Sequence, residues 1–129
     1  MAEIKVLALD LDGTLTNDQK EVTPRTRAAL DAAIARGVTN VLASGRPTAG
    51  ILPLARELEL DKKGGCILSY NGGKIVDCRA GETLVEKTLD PALIPELCAF
   101  AAEQDVAILT YNTEGIVCER DKDEWANKD

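Results

Sequence analysis

The feature that most constrains this chain is a pair of short apolar runs, Ile4 to Leu11 and Val38 to Ala43, that bracket one helix with clear ends. Each run is apolar on both faces, the pattern of a parallel strand buried in a sheet with helices on each side. Between them Thr23 suits an N-cap and Pro24 the first helical position. Ala29, Leu30, Ala33 and Ile34 form an apolar stripe, and Gly37 suits the position just past the helix end. Strand, helix, strand in that order is a βαβ unit, for which a parallel sheet with a right-handed crossover is expected.

The alternation continues. A second helix is expected within Thr48 to Leu60, its start blurred by Pro47 and Pro53, and Gly64-Gly65 leads into a third apolar strand, CILSY. Asn71-Gly72 is a hairpin signal. The segments KIVD and TLVEK, around an Ala80-Gly81 turn, then read as antiparallel strands. Asp90-Pro91 opens another capped helix with Leu93, Ile94, Leu97, Cys98 and Ala101 on one face, followed by the strand VAILTY, the turn NTEG and the strand GIVCE. This group reads as the beginning of a second, smaller α+β unit. The polar end, RDKDEWANKD, carries Trp125, read as a packing residue of that unit.

Composition narrows the chemistry. The chain has 129 residues, 45% hydrophobic and 29% charged, which fits one soluble domain with a modest core. The net charge of −7 and the lack of a Lys/Arg stripe argue against nucleic acid as a partner. No basic region precedes a long apolar stretch at the N-terminus, so neither a signal peptide nor a membrane span is expected, and the cytoplasm is the default location. Cys66, Cys78, Cys98 and Cys118 are widely separated and read as small buried hydrophobes in a reducing compartment. There is no histidine, which excludes Ser-His-Asp and Cys-His catalysis, phosphohistidine chemistry and His-based zinc sites within the chain. No cysteine is followed at the sixth place by arginine, so a cysteine-dependent phosphatase loop is missing as well. Carboxylates, hydroxyls, amines or a metal must carry any reaction.

The first apolar run ends in Asp10 and Asp12, followed at once by Gly13. Carboxylates beside an apolar interior need partners. Alternate residues of a strand face the same way at roughly 6.6 to 7 Å spacing, so both can leave the strand's C-terminal end on one side, the edge where open parallel sheets bind ligands. Gly13 permits a sharp turn and a close backbone approach. Ser44 ends the second run at the same edge, where Ser44, Gly45 and the following helix can offer hydroxyl and N–H donors to an anion. Two carboxylates and an anion-holding hydroxyl suggest phosphoryl transfer, in which one aspartate attacks phosphorus and the other handles the leaving group's proton. A hard cation such as Mg²⁺ would cancel the repulsion between carboxylate and phosphate.

Other readings of these residues are weaker. Counting Asp10 as the first position of a calcium loop places Leu15 where that loop requires glycine, and a strand precedes it where a helix should stand. A P-loop is excluded because Gly45 to Gly50 is followed by Ile51-Leu52 in place of Lys-Ser/Thr, and no dinucleotide fingerprint is present. Taken alone, Ser44 to Pro47 could be an ordinary strand-to-helix turn, Asn71-Gly72-Gly73 a plain hairpin turn and Arg46 a surface salt-bridge partner.

Together, DLDGTLT at Asp10 to Thr16, ASGRP at Ala43 to Pro47 and SYNGG at Ser69 to Gly73 resemble the haloacid dehalogenase superfamily, specifically its Cof-type phosphatases with a C2-type cap. The resemblance covers essentially the whole chain. It implies a Rossmann-like, three-layer α/β core over residues 1–82 and the beginning of a C2-type α+β cap over 83–129. It also implies Mg²⁺-dependent hydrolysis of small phosphate monoesters, sugar phosphates foremost, through an aspartyl-phosphate. By that resemblance Asp10 is the nucleophile, and Asp12 is the acid that protonates the leaving group and then the base that activates water. The Asp12 carbonyl binds the metal beside Asp10. Ser44 holds the phosphoryl oxygens with the N–H groups of Leu11, Gly13 and Gly45, while Arg46 and Asn71 stand near the substrate.

The family also uses a lysine and a further acidic pair contributed after the cap, and this chain ends inside the cap. By the resemblance it is the front part of a longer protein. Lys74, Lys87, Lys122 and the Asp121/Asp123 pair are not placed to substitute. The alternative expectation is therefore a non-catalytic module that binds metal or phosphate. In the family the strand bearing Asp10 is central, so an open sheet edge and self-association through it are expected here.

Overall fold

In the computed structural model, which describes residues 2–118, the first apolar run forms β1 (Val6–Asp10) and lies parallel to β2 (Thr39–Ala43). The helix between them, α1 (Pro24–Ala35), has the expected ends. The Thr23 Oγ1 accepts the Thr26 N–H at 3.3 Å, Pro24 opens the first turn, and Gly37 takes φ +85° as it leaves the helix. Next come α2 (Thr48–Glu57), a short α3 (Leu60–Lys63) and β3 (Cys66–Ser69), parallel to β2. Pro47 stands at the N-cap of α2, whereas Pro53 lies inside the helix, where its ring removes one backbone donor without ending it.

The chain then reverses. A 3₁₀ turn at Tyr70–Gly72 joins β3 to β4 (Lys74–Asp77), which runs antiparallel to β3, and β5 (Thr83–Glu86) pairs antiparallel with β4. The hairpin signal is therefore correct, but the connection is longer than two residues and holds Tyr70 and Asn71 at φ +52° and +54°. The sheet order is β1-β2-β3-β4-β5.

Side-chain alternation decides which face is covered. Leu7, Leu9, Leu42 and Ile67 point to one face and meet Leu30 of α1, Ile51 and Ala55 of α2, and Leu58 and Leu60. Leu42, Ile51 and Ile67 are fully buried, and each such side chain stabilises the fold by about 1.5–3 kcal/mol relative to exposure. Lys63 of α3 ties the helical layer together, pairing with Asp31 of α1 at 2.8 Å and Glu59 at 3.1 Å. Gly65 shows why glycine precedes β3: a Cβ there would lie 2.7 Å from the Asn40 carbonyl.

On the other face, Val6 and Ala8 are exposed and Val41, Ala43, Cys66, Leu68 and Ile75 only half-buried. Within the first unit, the described helices thus cover one face of the sheet, two of the three expected layers. Among the described residues β1 pairs with β2 alone, and its other edge carries no strand.

The chain divides into two compact units, Met1–Lys87 and Thr88–Asp129. The division falls after β5, beyond the boundary at residue 82 read from the sequence, because β5 pairs into the first sheet. In the second unit Asp90 accepts the Ala92 N–H at 3.0 Å and opens a 3₁₀ turn (Pro91–Leu93) that runs into α4 (Ile94–Glu103). A hairpin of β6 (Leu109–Tyr111) and β7 (Ile116–Cys118) follows. Of the apolar face expected on this helix, Ala101 is buried and Cys98 half-buried, while Leu93, Ile94 and Leu97 are exposed. Asp121, Lys122, Asp123 and Trp125 lie outside the described residues. No helix among those described is long and apolar enough to cross a membrane.

The open edge and half-open face of β1 lead to an expected outcome. Size-exclusion chromatography of this chain at rising concentration should show dimers or larger species, and Val6→Lys, which puts a charge on the exposed edge strand, should shift them towards monomer. A wild-type chain that stays monomeric at the highest concentration contradicts this.

Candidate active site at the strand ends

The register of β1 against β2 sets Asp10 opposite Ala43, so the first aspartate and Ser44 leave the sheet at one edge. Beyond Asp10 the chain turns tightly. The Leu11 carbonyl accepts from the Thr14 N–H at 3.2 Å, the Thr16 N–H at 2.9 Å and the Thr16 Oγ1 hydroxyl at 3.0 Å, and the Leu15 N–H donates to the Asp10 carbonyl. Leu11 and Leu15 are buried beneath this turn, which lifts Asp12 and Gly13 into the open. Gly13 adopts φ +78°, which a side chain would disfavour.

Asp12 is the most strongly partnered group at this edge. Its Oδ1 accepts from Lys20 Nζ at 2.7 Å and from an Arg46 terminal nitrogen at 2.6 Å, and its Oδ2 accepts from Arg46 Nε at 3.1 Å. The guanidinium thus grips both oxygens in a fork. The Lys20 hydrogen bond holds the Asp12 carboxyl below its ordinary value of 3.8; burial opposes it, and the Arg46 hydrogen bond and the charges of both cations add to the lowering. Lys20 was not singled out in the sequence. The signal was a cation eight residues after Asp12 in a turn that folds back on it, a spacing with no periodic pattern to mark it.

The second cluster lies between the end of β2 and the β3–β4 turn. Ser44 Oγ accepts the Arg46 N–H at 3.1 Å, which leaves its own hydrogen to donate elsewhere. The Ser44 N–H donates to the Leu68 carbonyl, the Asn71 N–H to the Ser44 carbonyl and the Tyr70 N–H to the Arg46 carbonyl. These bonds bring Asn71 against Gly45: a Cβ at Gly45 would sit 3.0 Å from Asn71 Oδ1, so glycine is what lets the amide lie on this backbone.

The structure therefore joins Asp12 to Arg46 and Ser44 to Gly45 and Asn71, with Asp10 beside them by register. One expected donor is differently employed. The Gly13 N–H donates to the Thr16 carbonyl at 3.2 Å, closing the turn, so in this conformation it serves the loop. Leu11 is buried through its side chain, and its expected contact is the backbone N–H. An open cleft of about 200 Å³ flanks the clamp, walled by Thr16, Lys20 and Arg46 on one side and by Pro53, Leu54 and Glu57 of α2 on the other.

The oxygen donors at this edge, the Asp10 carboxylate and the Asp12 carbonyl, suit a hard divalent cation. The Asp12 carboxylate is engaged by two cations, and it is the family resemblance that gives a metal its main-chain carbonyl instead. Among the described residues no group of three or more His, Cys, Asp or Glu side chains could hold a metal, so these donors form a partial shell. Two of the thiols are poor nucleophiles: burial pushes Cys78 up to about 11 and Cys66 upward as well.

The profile of the haloacid dehalogenase-like hydrolases matches residues 7–129. The chain belongs to this family. A solved haloacid dehalogenase-like hydrolase from Bacteroides thetaiotaomicron is 45% identical with a TM-score of 0.82, over 94% of this chain and 46% of that one. YxeH of Bacillus subtilis is 42% identical over 85 residues, 66% of this chain and 32% of its own length. The 5-amino-6-(5-phospho-D-ribitylamino)uracil phosphatase YwtE of the same organism is 33% identical over 86 residues, 67% of this chain and 28% of its own length. This haloacid dehalogenase-like chain thus spans about a third of the curated relatives it matches.

The clamp on Asp12 gives an acid-dependence with a definite sign. A carboxyl held below its ordinary value stabilises the fold above 3.8 and loses that contribution as pH falls through its lowered value. In thermal unfolding, wild type should exceed Asp12→Asn at neutral pH, and the gap should close in acid. A gap that does not change with pH contradicts the clamp.

Proposed function

We propose that the first unit carries the nucleophile and the phosphate-holding groups of a Mg²⁺-dependent phosphomonoester hydrolase. The observation that carries this reading is the meeting, at one sheet edge, of Asp10, the Arg46-held Asp12 and the Ser44–Gly45–Asn71 cluster. In this reading an Asp10 carboxylate oxygen attacks phosphorus, the bond to the leaving oxygen breaks, and that oxygen takes a proton from Asp12. Water then attacks the aspartyl-phosphate while Asp12 takes back a proton, and phosphate leaves.

The electrostatics support both halves of Asp12's part. With Lys20 and Arg46 bonded to it, the carboxylate is charged and suited to accept water's proton. A phosphate dianion arriving at the edge competes for the same two cations. That raises the proton affinity of Asp12 in the step in which a leaving group needs a proton. Ser44 donates its free hydroxyl hydrogen to a phosphoryl oxygen, and the Gly45 backbone, held by Asn71, lines the same anion. The Asp10 carboxylate and the Asp12 carbonyl would hold Mg²⁺, which when bound would supply charge neutralisation between nucleophile and phosphate.

The substrate class is small phosphorylated metabolites, sugar phosphates foremost, with the cytoplasm as the place of action. The relative YwtE, named for a phosphoribityl substrate, lends this support. A second reading has its own observation: with only a partial oxygen shell among the described residues, this chain by itself is a module that binds phosphate and metal without turnover.

Release of phosphate from an aryl phosphate by this chain, with Mg²⁺ and with EDTA, separates the two. The hydrolase reading expects Mg²⁺-dependent release that Asp10→Asn lowers by roughly a thousandfold or more. Equal release by the variant overturns the nucleophile assignment. No release from a folded chain that binds phosphate favours the module.

A further inference from the structure

Lys20 has so far entered only as a charge beside Asp12, yet several hydrogen bonds fix where it stands. Asn17 Oδ1 accepts the N–H groups of Gln19 and Glu21 at 3.0 Å each, the Asn17 N–H donates to the Glu21 carbonyl at 3.0 Å, and the Lys20 N–H donates to the Asn17 carbonyl at 2.9 Å. The closed turn holds Lys20 at φ +63°, a left-handed conformation that any residue with a Cβ adopts reluctantly. Glycine would suit that backbone better, but glycine has no ammonium. The near end of the loop is pinned too, by the Thr16 bonds to the Leu11 carbonyl. From this frame Lys20 Nζ reaches Asp12 Oδ1 at 2.7 Å, the oxygen that Arg46 meets at 2.6 Å from the other loop.

Two cations on one carboxylate do more than neutralise it. The guanidinium fork sets the carboxylate in its own plane, and the ammonium, a point charge on a different segment, fixes the remaining direction. We propose that Lys20 is a positioning residue for Asp12, setting jointly with Arg46 the direction in which that carboxylate faces a bound phosphate. This rests on the reading of Asp12 as the proton-transfer group. Lys20 is well exposed, its side chain 63% accessible, so its placement reflects the turn and the ion pair rather than packing.

The test uses wild type, Lys20→Gly and Lys20→Arg. Glycine suits the left-handed turn, so Lys20→Gly removes the ammonium and keeps the loop. The first readout is solvent exchange of the Arg46 Nε–H by nitrogen-15 NMR. Loosening the clamp should speed it roughly threefold in Lys20→Gly, and Lys20→Arg should restore it. The second readout is aryl phosphate turnover with Mg²⁺, where Lys20→Gly should lower kcat about tenfold with KM nearly unchanged, as expected for a misdirected group.

Unchanged Arg46 exchange in Lys20→Gly overturns the proposal, and so does faster exchange with unchanged kcat. Faster exchange restored by arginine, in a chain whose wild type shows no turnover, upholds the coupling of Lys20 to Asp12 and overturns the hydrolase reading of this chain instead.

Discussion

The parallel register of β1 on β2 is the constraint on which the site depends. In that register Leu7 and Leu9 face the helices with Leu42, while Asp10 ends on the opposite alternation, beside Ala43. A slip of one residue would turn Asp10 into the helix-covered core and Val6 and Ala8 with it, leaving the leucines outside. The apolar core therefore does more than stabilise the sheet. It fixes which edge and which direction the first aspartate takes, and the buried Leu11 and Leu15 fix the turn that presents the second.

Charge is handled locally in a chain that is acidic overall. The net charge of −7 would oppose any phosphate, yet at the strand ends Lys20 and Arg46 converge on Asp12 and outnumber it. Such exposed pairs contribute modestly to stability. Their consequence is directional: they place a carboxylate, lower its proton affinity and leave positive charge where an anion would arrive. The hydroxyl of Ser44 and the glycine beneath Asn71 add neutral donors at the same edge, so the anion would be met by groups from three consecutive strand ends.

Much of this was legible in the sequence because it rests on local chemistry. Thr23, Pro24 and Gly37 mark α1 through a capping hydrogen bond and φ angles that these residue types favour, and Asn71-Gly72 marks the reversal after β3. The edge position of Asp10, Asp12 and Ser44 followed from apolar runs that end in polar residues. Other features required the assembled backbone. Lys20 is an ordinary surface lysine until the Asn17 turn folds it onto Asp12. The Gly13 N–H is a free donor on paper and is occupied by Thr16 once the loop closes. The half-open face of the sheet could not be read from β1, whose both-sided apolar pattern describes a strand covered twice, whereas the described helices cover it once. The place of β5 was likewise a matter of pairing, since β4 draws it into the first unit across the turn at Ala80-Gly81.

The central claim is that the ends of β1, β2 and β3 form one anion site. Titration of the nitrogen-15-labelled chain with inorganic phosphate, in the presence of Mg²⁺, tests it most directly. The account predicts that the backbone resonances of Asp12, Ser44, Gly45, Arg46 and Asn71 shift together along one binding curve, and that Ser44→Ala weakens it. Shifts confined to other parts of the chain, or a curve indifferent to Ser44→Ala, would contradict it.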